Sequence, residues 1–166
     1  MKSKLIVKLA ILAAFCFGVH PITAQTPSLA GSWQLTMNSN PTATSPTIHA
    51  LATFTPDGSV IETDSSEFAL IGTSVRNATR AGTPGHGIWQ PAPAVGNLFI
   101  QFVSLVVNPN GTLYGKKTVT ITGAMDAGGN NFSGSYSYIL ADPNGSALGT
   151  GSGLVAGQRI PHPLLP

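Results

Sequence analysis

The chain has 166 residues, of which 8% are charged, with 19 Gly, 13 Pro, a single Cys and a formal net charge of +2. Its opening, "MKSKLIVKLAILAAFCFGVHPITA", joins a lysine-rich start to an apolar run too short to span a bilayer and a small residue at Ala24, which predicts a cleaved signal peptide over residues 1–24 and a secreted product, extracellular or periplasmic. Removing that leader takes Lys2, Lys4, Lys8 and Cys16 with it, so residues 25–166 keep five Lys/Arg against six Asp/Glu, a net −1. That balance leaves no basic patch for a nucleic-acid backbone, and no cysteine for a disulfide or thiol chemistry. The remainder is long enough to bury one core, so residues 25–166 are read as a single domain.

The predicted elements are all strands. "GSWQLTMN" alternates Trp33, Leu35 and Met37 against polar residues, the pattern of a half-buried strand. "TIHALATF" and "SVIETDS" flank "TPDG". Asp64 and Glu67 then have capping-box spacing ahead of Phe68, which allows one helical turn, inside a long connection over residues 65–85. "HGIWQ" is a short strand; "LFIQFVSLVV" and "TLYGKKTVTITGAM" flank "NPNG"; "NFSGSYSYILA" and "SALGTGSGLVAGQRI" flank "DPNG".

The three Pro-containing turns share one chemistry. Proline presets φ at the first corner, Asp or Asn suits the second, and Gly accepts the left-handed region that follows. Between apolar runs this predicts hairpins closed by a type I turn with a G1 bulge. Consecutive hairpins make a meander, and about eight strands close into an up-and-down antiparallel barrel without exposed edges. A sandwich is the alternative arrangement. The register of the last hairpin stays open. A bulged turn sets the glycines of "GTGSG" beside the serines, and a two-residue turn sets Tyr138 and Tyr136 over Gly149 and Gly151.

Gly31-Ser32-Trp33 on the first strand and Arg159 near the end of the last resemble the G-x-W…Arg arrangement of lipocalin-like (calycin) barrels. The resemblance implies a barrel whose base is closed by Trp33, with Arg159 packed across it, and whose lumen takes a small hydrophobic molecule. The guanidinium can stack on the indole and still donate to backbone carbonyls.

Candidate chemistry is sparse. His86, in "GTPGHGIWQP", lies between glycines with Asp64 and Glu67 as its nearest acids in sequence; it reads as a turn residue ahead of a strand, with His86 and Glu67 as the acid–base candidates of an enzymatic alternative. His49, His86 and His162 have no metal-ligand spacing, so no metal or other cofactor is expected. No nucleophile elbow or phosphate loop occurs. Of Lys116 and Lys117, one faces the interior side, where it reads as a lysine near a barrel mouth with its ammonium in water, the alternative being a lysine that binds an anion or acts as a base. Strand 98–107 is apolar on both faces, so its outer face calls for cover by the long connection, a second copy of the protein or lipid.

The sequence therefore points to a non-enzymatic binder of a small hydrophobic molecule, with Phe102, Tyr136 and Tyr138 against the ligand and no transmembrane helix. A cyclase- or isomerase-type barrel resembling allene oxide cyclase or dirigent proteins is the alternative. A structural cell-surface module or small outer-membrane barrel is the third reading.

Overall fold

A computed structural model describes residues 28–39, 47–65, 80–93 and 97–161. Among the described residues there is no helix. Nine strands are present: β1 (Gly31–Asn38), β2 (Thr47–Phe54), β3 (Ser59–Asp64), β4 (Ala81–Gly82), β5 (Gly85–Pro91), β6 (Asn97–Val107), β7 (Leu113–Met125), β8 (Asn131–Ala141) and β9 (Ala147–Arg159). Eight of them pair in sequence order, every pair antiparallel, and β9 returns to pair with β1. The sheet is thus a closed up-and-down barrel with one short extra strand, and closure satisfies the edges an open meander would expose.

The extra strand has a local cause. β6 runs past the end of β5, and Ala81 and Gly82 pair with Val107 and Val106 on that overhang. Between β4 and β5, Pro84 has no N–H to offer. Thr83 bridges the gap: its N–H donates to Leu105 O (2.9 Å) and its hydroxyl accepts from Leu105 N (3.0 Å). β4 and β5 therefore form one interrupted edge along β6. Asp64 is the last residue of β3, so the capping-box reading gives way to strand pairing with Ala50. The rest of that reading, including Glu67, lies outside the described residues.

The turns carry the chemistry expected of them. In each Pro-containing hairpin the glycine N–H donates back to the first turn residue's carbonyl: Gly58 to Thr55 (3.1 Å), Gly111 to Asn108 (2.9 Å) and Gly145 to Asp142 (3.0 Å). These glycines have φ of +91°, +79° and +91°, the left-handed position that a type I turn with a G1 bulge requires. The β7–β8 turn uses Gly129 at +68°. There Asp126 Oδ1 takes the N–H groups of Asn130 and Asn131 (2.9 and 3.2 Å), and Oδ2 takes Asn131 Nδ2 (2.7 Å). Those donors, the Asn131 amide group first, hold the Asp126 carboxyl below its ordinary pKa. Asp57 is lowered the same way, by the Thr55 hydroxyl and then by Ser59 N–H.

Alternation sets the two faces of the wall. Trp33, Leu35, Ala52, Phe54, Val60, Ile100, Phe102, Val119, Ile121, Phe132 and Tyr136 belong to one buried cluster in the lumen. Inward glycines make room for rings and for backbone curvature. A Cβ at Gly157 would lie 2.2 Å from the Phe132 ring, and one at Gly134 would lie 2.1 Å from Thr122 O, so side chains are excluded where strands are squeezed together.

Candidate functional site

The base of the barrel is a closed structure. Trp33 is fully buried, its indole N–H donates to Leu29 O (2.8 Å), and its ring packs at 5.3 Å from that of Phe132. The Arg159 guanidinium stacks 4.5 Å from the indole centre. Its three nitrogens donate to three carbonyls: Nε to Gly129 (2.9 Å), Nη1 to Ala30 (2.6 Å) and Nη2 to Ser28 (2.6 Å). Arg159 faces Trp33 because β9 pairs with β1 in a register that sets these residues opposite each other. A planar fork is the side chain suited to three acceptors and an aromatic face together. At this end Leu29, Trp33 and Phe132 are packed into the apolar cluster of the lumen.

The opposite end of the lumen is polar. On β3, alternation from inward Val60 places Glu62 and Asp64 inside, 2% and 6% exposed. Ser104 on β6 is also buried. Lys117 on β7 is the inward one of the two lysines and forms an ion pair with Asp64 (3.3 Å), although β5 and β6 stand between their strands in the sheet; Lys116 is exposed. The Glu62 carboxylate lies over Gly85, where a Cβ would be 3.0 Å from Oε2 and 2.6 Å from the Phe102 ring. Gly85 is thus the residue that lets an acid and a ring share one layer.

Register places the three expected ligand contacts next to this layer. Phe102 pairs with Val119, and Val119 with Tyr138, so Phe102 and Tyr138 share a row of the inner wall. Tyr136 stands one inward step nearer the base, beside Ile121. Ser104, Lys117 and Leu140 form the next row toward the polar end. Burial, with a smaller contribution from Tyr138, pushes the Tyr136 phenol above its ordinary pKa. Tyr138 faces Gly151 and Tyr136 faces Gly153, with a register shift at Leu140/Ala141. Rings therefore lie over glycines, one glycine further along than a two-residue turn would place them.

His86 is elsewhere. It is the second residue of β5, pairs with Ile61 and Val103, and is exposed on the outer wall. It is not a lumen residue, and the lumen acids are Glu62 and Asp64. Sequence reasoning missed both, although the alternation of "SVIETD" from Val60 carries the signal. His162 lies outside the described residues, and among the described residues no three metal-ligating side chains gather.

The outer wall mixes exposed apolar and hydroxyl side chains. Over β2, β3, β5 and β6 it exposes Leu51, Ile61, Ile88 and Leu105. Over β7, β8 and β9 it presents Thr120, Thr122, Ser133, Ser135 and Ser137 together with exposed Leu113, Ile139, Leu148 and Leu154, and depressions of about 670 and 690 Å3 lie across β1, β7, β8 and β9, floored by Thr36, Ser133 and Ala156. These depressions are open to solvent and lined mostly by neutral short side chains, so the convergent chemistry lies inside the barrel. No family profile, no curated protein and no solved structure matches this protein.

Proposed function

We propose that this protein is a secreted carrier of a small, largely apolar molecule, held at the polar end of the lumen. Tyr136, Tyr138 and Phe102 meet its apolar body, and the layer of Glu62, Asp64, Ser104 and Lys117 meets its polar group. The observation that carries this reading is the placement of that layer: two acids buried in the lumen, with half-buried Lys117 at 3.3 Å from Asp64, next to the aromatic rows. Burying charge is costly even when paired, and the base of the barrel is already closed by an apolar cluster. A few polar groups converging on an apolar, aromatic surface are the composition of a small-molecule site.

The test is native mass spectrometry of the mature protein purified from its own host, before and after organic extraction. A stoichiometric small molecule that re-binds to the extracted protein is the expected result, with affinity about tenfold weaker in Tyr138→Ala for the loss of one ring contact. An apo mass that no panel of lipophilic probes shifts would sink the carrier reading.

A further inference from the structure

Two Asn-Gly steps occur in the sequence, Asn110-Gly111 and Asn144-Gly145, each at the second corner of an exposed Pro-Asn-Gly hairpin turn. The turns look equivalent in sequence, and the hydrogen bonds separate them. In the β6–β7 turn Asn110 Oδ1 accepts from Thr112 N (3.1 Å) and Thr112 Oγ1 (2.7 Å). In the β8–β9 turn the corresponding N–H, that of Ser146, goes instead to Asp142 Oδ1 (2.8 Å), which also takes Asn144 N (2.9 Å). Asp142 thus supplies the acceptor that Asn110 supplies in its own turn, and the Asn144 amide group has no hydrogen bond to a described residue.

We propose that Asn144 is a site of spontaneous covalent modification, converting to aspartate and isoaspartate, and that Asn110 is protected from it by its own turn. The Gly145 backbone nitrogen, losing its proton to solvent base, attacks Asn144 Cγ. A bond forms between that nitrogen and Cγ, the Cγ–Nδ2 bond breaks, and ammonia leaves with a proton from water. The five-membered imide that results is opened by water at either carbonyl, giving the two acids with no oxidant or reductant. Glycine is the residue that hinders this attack least, since it has no side chain beside the attacking nitrogen. At Asn110 the amide must first release two hydrogen bonds before Cγ can turn toward Gly111. That requirement slows it by about tenfold relative to Asn144, the factor that one to two ordinary hydrogen bonds represent. The product places a second carboxylate beside Asp142 and, in the isoaspartyl form, adds a backbone carbon to the hairpin.

The experiment incubates the full mature protein in mildly alkaline buffer made with heavy-oxygen water and follows both tips by peptide mapping. Heavy oxygen should enter the Asn144 peptide about tenfold faster than the Asn110 peptide, on the strength of the two hydrogen bonds. Asp142→Asn, which recreates the asparagine-first turn of the other hairpin, should bring Asn144 down toward the Asn110 rate. In the urea-unfolded protein the two rates should converge. Equal rates in the folded protein, a faster Asn110, or a difference that persists unfolded would each overturn the proposal.

Discussion

Arg159 shows how much one side chain can hold in a protein that is only 8% charged. It ties the strand before closure to the segment that enters the barrel, through the carbonyls of Ser28, Ala30 and Gly129 and the face of Trp33. Charge-assisted bonds to partly buried acceptors are worth more than neutral ones. Arg159→Ala should therefore lower unfolding stability by about 3 kcal/mol, read as a lower urea midpoint at unchanged slope. Arg159→Lys should recover only part of the loss, because one ammonium cannot span three separated carbonyls and does not stack as a plane. Full recovery by lysine would mean that charge alone, and not the fork, holds the base together. The pair was legible in the sequence as residue types on the first and last strands. The three acceptors were not, since they are backbone atoms whose positions depend on closure.

At the scale of elements, the eight barrel strands and their turns were legible because each is set locally. Period-two alternation fixes a strand, and Pro-Asn-Gly or Pro-Asp-Gly fixes the turn beside it. The two-residue β4 was not, because Ala81 and Gly82 pair only with the overhang of β6. The register of the last hairpin also needed the structure. Whether rings or hydroxyls meet the glycines depends on a single bulge at Leu140/Ala141, and one residue of slip exchanges the faces. The outcome is testable on neighbouring glycines. A Cβ at Gly151 would lie 2.4 Å from the Tyr138 ring, whereas one at Gly149 meets nothing within 4 Å. Gly151→Ala should cost about 1–3 kcal/mol as the ring is displaced. Gly149→Ala should change stability by no more than about 0.5 kcal/mol. Denaturant midpoints check both, and equal costs would contradict the ring-over-glycine register. No contact among the described residues explains why residue 149 is glycine.

The whole molecule is a barrel sealed at the Trp33 end and ionic at the other, and the ionic end was the least legible part. Expecting polar residues to face outward hides Glu62 and Asp64, and the cation that pairs with Asp64 is 53 residues away in sequence. Only closure brings β3 and β7 to opposite sides of one lumen. The pair's energetics decide what that layer is for. Lys117 and Asp64 side chains are 18% and 4% exposed, so their attraction is weakly screened, but each also loses hydration. Lys117→Met removes the cation and leaves the carboxylate's desolvation in place, so it should cost about 2–3 kcal/mol, the lower range for breaking a buried pair given the partly exposed lysine. Asp64→Asn alone should cost less, because an amide tolerates burial better than a carboxylate that has lost its counter-ion. The double variant should recover about 1–2 kcal/mol relative to the sum of the singles, the coupling expected of residues in direct contact. Strict additivity would show that the two side chains do not act as a unit. A double variant as stable as the parent, yet unable to retain ligand, would show that the pair serves the site and not the fold.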